Sequence, residues 1–446
     1  MGTEKESRLL FTMAVPIALS MLVQALYNIA DSAFVGQISE EALSAVSVVF
    51  PFQTLFSALN VGIGVGMSQL ISLSLGIRQD KRARLAAGQG LFLSLCCTAF
   101  FVIFGFCGTG AFFRISGVAG EIAAMGQDYL QIITIFSLGV FCESVFERML
   151  MSAGHTGCTM VCQITGAVLN IILDPLLIFG CGPVPSFGVA GAAVATVFSQ
   201  HTAALMAFLF HKKEDGMLQF GPADIKPQKK CIHEIFSVGA SAVIKQGAAS
   251  VLLMFVNGIL IHFSTTATAV YGAFNRLGVL LLTPSWAIED VLVILAAYNL
   301  GIRSRERIRR LFSLSMFAAL GITVMGCVLI FAFPVPLIKI FGSEDTMLKM
   351  GKSALPVLTC FLPFQAASST ISAMMQGLGD GGRALKAGIT ERFLLPMLLV
   401  YLASLTGHLN LVWWSFTAAE MLGLGVSVFF LRRAFRDRVP ENVNES

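Results

Sequence analysis

The sequence predicts an all-α membrane protein of twelve transmembrane helices, arranged as two six-helix repeats. The chain of 446 residues is 56% hydrophobic and 13% charged, with a mean hydropathy of +0.79. This apolar content exceeds what a soluble core of that length can bury. Apolar stretches of about 20 residues or more, enough to cross a bilayer as a helix, recur along the whole chain. In addition, one polar stretch is repeated later in the chain with a very similar sequence.

The repeated polar stretch indicates that the chain consists of two similar halves. LGIRQDKRARL at 75–85 returns as LGIRSRERIRRL at 300–311, so that the shared glycine is Gly76 in the first copy and Gly301 in the second. We call the spacing from Gly76 to Gly301 the repeat offset. The same offset relates Met149, Gly154 and Gly157 to Met374, Gly379 and Gly382. Duplicated membrane halves are typical of secondary transporters, in which a central site lies between two helical bundles. The repeat therefore indicates membrane transport.

Twelve apolar stretches define the predicted spans. Each is long enough for a helix to cross about 30 Å of hydrocarbon. The first stretch is too long for the core of a signal peptide and lacks a small-residue cleavage site, so it is interpreted as a span. In chain order the spans are 11–36, 45–75, 87–113, 129–153, 158–182, 187–211, 234–261, 267–299, 311–341, 353–377, 384–406 and 409–431.

The distribution of positive charge predicts the orientation. Most of the 30 Lys and Arg residues lie in the termini and in the loops at 76–86, 212–233, 300–310 and 378–383. By the positive-inside rule, these loops and both termini are cytoplasmic. An even number of spans in each half then makes the two repeats parallel, related by an axis along the membrane normal.

The longest polar connection divides the chain near its midpoint. We expect an N-terminal lobe at 1–211, a cytoplasmic linker at 212–233, and a C-terminal lobe at 234–446 that ends in a short cytoplasmic tail. The net charge of +4 follows from the loop bias. Short basic runs next to membrane helices do not indicate a nucleic-acid partner.

Residue types that commonly carry catalysis or bind metals form no recognisable pattern. The ten cysteines are scattered without a CxxC motif, and the six histidines are dispersed. Neither an HExxH nor a GxSxG motif occurs. We therefore expect that the protein is not an enzyme and that it needs no cofactor.

Polar residues inside three spans are candidates for an ion site. A charge at the centre of a membrane helix costs about 2.5 to 3.5 kcal/mol, so it calls for a partner or a function. Counting from the predicted outer ends places Asp31, Asp174 and Thr196 roughly 8 to 14 Å below the external surface. Asn170 lies one turn from Asp174 on the same helix face. Their oxygens suit H⁺ or a hard cation such as Na⁺. A structural hydrogen-bonded lock between helices is the alternative.

The repeat favours the functional interpretation. At the repeat offset, Asp31 and Asp174 correspond to Val256 and Leu399. An acid that folding alone required is expected in both copies.

Four further residues are candidates for function. Pro16 lies in the first span below Asp31, where a proline frees a backbone carbonyl and creates either a hinge or a static kink. Glu143, Lys245 and Arg276 are candidates for lining a substrate cavity. For Glu143, ion pairing with a neighbouring helix is the alternative.

Four stretches of the chain closely resemble the multidrug and toxic compound extrusion (MATE) transporters. The resemblance covers essentially the full length, including the span count and the repeat, and its LNxxLDPLLIFG and YNxxDxxFVG patterns are characteristic of bacterial members. The stretches are VPIALSMLVQALYNIADSAFVG at 15–36, ALSAVSVVFPFQ at 42–53, LNIILDPLLIFG at 169–180 and GVAGAAVATVFSQ at 188–200.

The resemblance implies a V-shaped pair of six-helix lobes that exports amphipathic, often cationic compounds in exchange for Na⁺ or H⁺. The family's first-lobe ion site matches Asp31, Asn170, Asp174 and Thr196, and its bending proline matches Pro16. Sodium-coupled NorM-like members have an acid on the seventh helix, where this chain has Lys245 and Gln246. The chain is therefore more similar to the DinF-like branch, and the coupling ion stays open between H⁺ and Na⁺.

The resemblance also implies partners and a location. We expect small amphipathic substrates, a lipid bilayer and no nucleic acid, in a monomer of the bacterial inner (plasma) membrane. A flippase for a lipid-linked precursor is the alternative function, because related proteins move such cargo.

Overall fold

The protein is described by a computed structural model that covers residues 4–213, 218–342 and 344–439. Within those ranges it is built almost entirely from helices. Residues 214–217 of the predicted linker and residues 440–446 of the predicted tail lie outside the described residues. The helices are α1 (Glu6–Gly36), α2 (Glu40–Gly76), α3 (Asp80–Cys107), α4 (Thr109–Ile115), α5 (Gly120–Ile135), α6 (Leu138–Ala153), α7 (Thr156–Ile178), α8 (Gly188–Lys213), α9 (Lys229–Phe263), α10 (Thr265–Gly301), α11 (Arg305–Ala332), α12 (Pro334–Lys339), α13 (Asp345–Thr359), α14 (Leu362–Gly377), α15 (Gly381–Ile389), a π-helical segment (Thr390–Leu394), α16 (Leu395–Ser404) and α17 (Leu409–Arg438).

These helices confirm the predicted fold class. In the described part of the chain, eleven helical spans are long and apolar enough to cross a membrane. A twelfth arises when α5 and α6, which meet at a bend of 47°, are counted as one span. This broken pair corresponds to the predicted span 129–153. The predicted span 353–377 likewise joins two helices, α13 and α14.

The repeat predicted from sequence extends to the ends of individual helices. Helices α2 and α10 are both 37 residues long, and α3 and α11 are both 28 residues long. In each pair, the first and last residues of the two helices are related by the repeat offset. The Oγ atoms of Ser39 and Ser264 cap α2 and α10 by accepting a backbone N–H at 3.1 and 3.0 Å. Arg78 and Arg303, which follow α2 and α10, both adopt a left-handed backbone with φ of 58° and 57°. The stretch from α2 to α3 and the stretch from α10 to α11 therefore share their helix boundaries and the backbone conformation of the turn between them.

The contacts between Cα atoms divide the chain into two compact units. The N-unit comprises residues 19–236, and the C-unit comprises residues 1–18 and 237–446. Helices α1 and α9 each contribute residues to both units.

One hydrophobic cluster of the N-unit lies next to the candidate ion site. It includes Val35, Tyr129 and Ile178, all of which are almost fully buried. Val35 and Ile178 lie one turn after Asp31 and Asp174 in their helices. Packing of this cluster therefore fixes the faces on which the two aspartates lie.

Part of the predicted linker docks on the N-unit. We call residues 218–228 the connecting segment. The fully buried side chain of Gln89 in α3 donates to the carbonyls of Asp224 and Lys226 at 2.7 Å each and accepts from the backbone of Gln228 at 2.9 Å. A Cβ atom at Gly88 would lie 2.6 Å from the carbonyl oxygen of Asp224, so only glycine permits this approach.

Candidate functional site

The structure brings together the four polar residues that the sequence singles out. Asn170 and Asp174 lie on one face of α7 and are buried, with 2% and 0% of their surface exposed. Asp31 in α1 and Thr196 in α8 are half-buried. We call these four residues the aspartate site.

Asn170 joins α7 to α8 at the centre of the site. With its amide nitrogen towards Asp174, it donates to Asp174 Oδ2 at 3.1 Å and accepts from the Thr196 backbone nitrogen at 3.3 Å. In the opposite orientation, Asn170 Nδ2 lies 3.4 Å from both Asp174 Oδ1 and Thr196 Oγ1. The first orientation is favoured because each amide atom then faces a partner of the opposite kind.

The carboxyl groups of Asp31 and Asp174 lie close enough to interact directly. Because a carboxylate only accepts hydrogen bonds, a direct contact between the two groups is favourable only when one of them carries a proton. Asp31 Oδ1 is buried and has no hydrogen-bond partner within the described part of the chain. The pair thus has the chemistry to hold one proton or to exchange it for a monovalent cation bound by oxygen atoms.

Two tyrosines next to the aspartates were not found by sequence reasoning. Tyr27 lies one turn before Asp31 in α1, and both Tyr27 and Tyr129 interact electrostatically with the two aspartates. The hydroxyl of Tyr129 accepts from Gln53 Nε2 at 3.1 Å. The four-residue spacing of Tyr27 and Asp31 was a signal for the first tyrosine. Tyr129 lies on α5, and its proximity depends on tertiary packing.

The other sequence candidates lie in different settings. Pro16 lies inside the continuous helix α1, 15 residues before Asp31 (31 minus 16), roughly 22 Å along the axis. Glu143 is half-buried in α6 and interacts electrostatically with Glu147. Lys245 forms an ion pair with Glu289 at 3.3 Å. Arg276 is exposed.

The donor set of the aspartate site is unlike that of a transition-metal centre. Among the described residues, no group of three or more His, Cys, Asp or Glu side chains is placed to hold a metal ion. The site instead offers carboxylate, amide and hydroxyl oxygens, the ligands that hard cations prefer.

Comparison with known proteins gives a consistent result along most of the chain. The family model described as MatE matches residues 16–176 and 242–402. The starting positions of the two matches, 16 and 242, agree with the repeat offset to within a single position.

Two curated relatives and one solved structure cover most of the chain. The "Probable multidrug resistance protein NorM" of Thermotoga maritima is 28% identical over 377 residues, which are 83% of this chain and 80% of the relative. The "FAD transporter" of Shewanella oneidensis is 26% identical over 353 residues, 79% of this chain and 78% of the relative. A structure titled "Outward-facing conformation of a multidrug resistance MATE family transporter of the MOP superfamily" aligns with a TM-score of 0.91 at 25% identity, covering 97% of this chain and 96% of the other.

Proposed function

Because this chain belongs to the MATE family of membrane transporters, we propose that it is a secondary active antiporter that exports amphipathic, cationic drug-like compounds in exchange for H⁺ or Na⁺. The observation that carries this proposal is the close pair of Asp31 and Asp174, with Asn170 beside Asp174, among apolar helices. A transporter family also fits the prediction that the protein is not an enzyme. Bacterial relatives support a multi-pass protein of the plasma membrane. The distribution of Lys and Arg supports cytoplasmic termini.

Ion and cargo are coupled through opposite preferences for inward-facing and outward-facing states. An ion that binds one state better than the other shifts the population towards it, and cargo that prefers the other state reverses the shift. In this proposal the lobes at 1–211 and 234–446 rock against each other, with the linker at 212–233 between them. Pro16 acts as the hinge of α1, because it removes the backbone donor that would hold the carbonyl of Thr12.

The names of the relatives support two classes of cargo. A relative named for multidrug resistance favours drug-like compounds. A relative named as an FAD transporter favours a large anionic cargo, which is chemically closer to the alternative of a flippase for a lipid-linked precursor. We place the cationic compounds first because the N-unit holds acidic side chains that are half-buried (Asp31, Glu143) or buried (Asp174) among its helices.

The test is transport by the purified full-length protein in proteoliposomes. Ethidium movement is measured with an imposed Na⁺ gradient and, separately, with an imposed H⁺ gradient. Wild-type protein is expected to move the dye with one of the two gradients, and Asp31→Asn and Asp174→Asn are expected to lose that dependence. Asp128→Asn, in a helix of the same unit that lies outside the aspartate site, is the matched control and is expected to keep it.

Two results would contradict the proposal. Gradient-driven transport by Asp31→Asn at the wild-type rate would exclude the aspartate site as the coupling site. Transport of FAD or of a labelled lipid-linked precursor, with no movement of any cationic dye, would replace the proposed cargo by the anionic class.

A further inference from the structure

The C-unit buries a cluster of charged side chains that the proposed function does not use. Three ion pairs hold it together, with distances of 3.3 Å from Lys245 Nζ to Glu289 Oε2, 3.6 Å from Arg392 Nε to Glu391 Oε1, and 3.7 Å from Arg392 Nη1 to Glu420 Oε1. Lys245 also interacts electrostatically with Glu420, and Arg392 with Glu289. The five residues therefore form one network, which we call the ion cluster.

The three acids of the ion cluster are deeply buried. Glu391, Glu420 and Glu289 expose 0%, 5% and 7% of their surfaces. They come from the π-helical segment, α17 and α10, while Lys245 comes from α9. Charges at such positions need compensation, because neither water nor lipid can solvate them there.

The backbone around Glu391 is shaped to accommodate this burial. Pro396 lacks the N–H that would bond the carbonyl of Arg392 in a regular helix, and the N–H of Leu395 bonds instead to the carbonyl of Thr390, as in a π-helix. On the facing helix α17, a Cβ atom at Gly423 would lie 2.7 Å from Glu391 Cβ. This glycine lets α17 approach the π-helical segment closely.

Two residues of α17 flank that close approach. Glu420 lies one turn before Gly423, and Ser427 lies one turn after it. The Oγ of Ser427 donates to Glu391 Oε2 at 2.7 Å. On the other side of the cluster, Arg392 donates to the hydroxyl of Ser369 in α14.

The charges of the ion cluster do not balance. The cluster contains three carboxyl groups and two basic groups, so full ionisation leaves one negative charge in excess. Asp290, which is half-buried beside Glu289, is a further acidic residue next to the cluster. The helices α14 and α16, which also belong to this unit, carry no Asp, Glu, Lys or Arg. On α15, which packs against α17 and the π-helical segment, Arg383 is paired with Asp380 and Asp437, and Lys386 is exposed. None of these three helices therefore places a buried, uncompensated positive charge against the excess.

Unpartnered atoms show where the missing positive charge belongs. Glu289 Oε1 and Glu420 Oε2 are buried without a hydrogen-bond partner in the described ranges, while Glu391 Oε1 lies 3.6 Å from Arg392 Nε, beyond hydrogen-bond distance. Glu289 and Glu420 therefore each present one free acceptor oxygen within a site whose total charge is negative. An acceptor without a donor in such surroundings is unfavourable, and one added proton would relieve it.

We propose that the ion cluster is a proton-binding site that takes up and releases one proton, independently of the aspartate site. The bound species is a proton and not Na⁺, because Lys245 and Arg392 place N–H donors against the carboxylates. A sodium ion would meet those positive groups in place of the several oxygen ligands that a hard cation prefers.

The duplicated scaffold argues against a purely structural role. At the repeat offset, the ion cluster has no charged counterpart in the first copy, although the helices that carry it are repeated. The positions that correspond to Lys245, Glu289, Glu391, Arg392 and Glu420 are Ser20, Gly64, Gly166, Ala167 and Ala195.

The tryptophans of the chain provide a local probe for the test. All three lie in the C-unit: Trp286 is one turn before Glu289 in α10, while Trp413 and Trp414 lie in the helix that carries Glu420. Intrinsic fluorescence of the full-length protein in lipid nanodiscs is therefore measured as a function of pH. Wild-type protein is expected to show a one-proton transition.

Two variants that change the net charge of the ion cluster in opposite directions are expected to shift the midpoint pH of this transition in opposite directions. Glu420→Gln leaves two acids against two bases, so the transition is expected to vanish or to move to lower pH. Lys245→Gln increases the negative excess, so its midpoint is expected to move to higher pH by about 1 to 3 pH units. Glu306→Gln, a surface acid of the same unit, is the matched control and is expected to leave the transition unchanged.

Other outcomes overturn the proposal. A wild-type protein without any transition, or a transition that is the same in Glu420→Gln and Lys245→Gln, shows that the ion cluster binds no exchangeable proton. A transition that disappears in Asp174→Asn assigns the proton to the aspartate site instead. Loss of dye transport in Asp174→Asn with an unchanged fluorescence transition supports both sites separately, so the two proposals fail independently. Should Glu420→Gln not fold, the shift in Lys245→Gln decides alone.

Discussion

Replacing Arg392 with methionine tests whether the ion cluster stabilises the fold through its charge balance. The guanidinium faces Glu391 and Glu420 at 3.6 and 3.7 Å, with only 11% of its side chain exposed. Removing one partner of a buried ion pair typically costs about 3 to 5 kcal/mol, because the remaining charge is left without compensation. We expect a loss of that size, since Arg392→Met leaves three acids facing Lys245 alone.

The chain offers a surface pair for comparison and a compensating change. Arg310 and Glu306 also form an ion pair, but their side chains are 61% and 67% exposed. Exposed pairs contribute about 0 to 1 kcal/mol, so Arg310→Met is expected to change little. The double variant Arg392→Met with Glu420→Gln returns the cluster to its original excess of one negative charge. It is expected to recover part of the lost stability.

Stability is measured as the loss of monodisperse protein on heating in a fixed detergent and at fixed pH. We expect thermal stability to decrease in the order wild type, Arg310→Met, the double variant, Arg392→Met. An Arg392→Met variant as stable as Arg310→Met would refute the view that the cluster is held by compensated charge. A double variant less stable than the single one would show that volume and hydrogen bonding outweigh charge at this position.

Three further predictions follow from contacts of the scaffold. Gly381→Val is expected to prevent folding or to lower thermal stability strongly, because a Cβ atom at Gly381 would lie 1.8 Å from the carbonyl oxygen of Ser237; normal yield and stability would contradict this. Gln89→Leu removes three hydrogen bonds of about 0.5 to 1.5 kcal/mol each, so chymotrypsin should cleave the connecting segment after Phe220 faster, and an unchanged rate would show that the segment is held otherwise. Ser39→Ala and Ser264→Ala each remove a helix cap and should lower stability by similar amounts of about 0.5 to 2 kcal/mol, and a clear difference between them would contradict equivalent caps.

Much of the fold could be predicted because every helix that crosses the bilayer must be apolar over a length of about 20 residues. The lengths of the apolar stretches predicted the helices, and the offset between the LGIR segments predicted the duplication. The paired caps at Ser39 and Ser264 were found only in the structure. The bend between α5 and α6 was not predicted, because the Phe136–Ser137 break contains neither proline nor glycine.

The aspartate site was predictable for a geometric reason. The rise of a helix is constant, so counting residues from the predicted membrane surface sufficed to place Asp31 and Asp174 at one depth. Tyr129 was not identified in this way, because it carries no charge that would be costly in lipid and it does not lie on the same helix as either aspartate. Its position beside Asp31 depends on how α5 packs.

The ion cluster was only partly visible in the sequence. Because Glu391 and Arg392 are adjacent in the sequence, they are expected to form a local ion pair, and the structure contains this pair. Glu420 joins them only because Gly423 allows α17 to approach the π-helical segment. No pattern in one span reveals such a contact between two helices.

The matching lengths of α2 with α10 and of α3 with α11 have a practical consequence. Each position along these helices has a corresponding position in the same molecule, at the repeat offset. The effect of a substitution in one copy can thus be compared with the effect of the identical substitution at the corresponding position, within one protein and one preparation. A difference between the two effects then shows which properties are specific to one half and are not required by the shared helical framework.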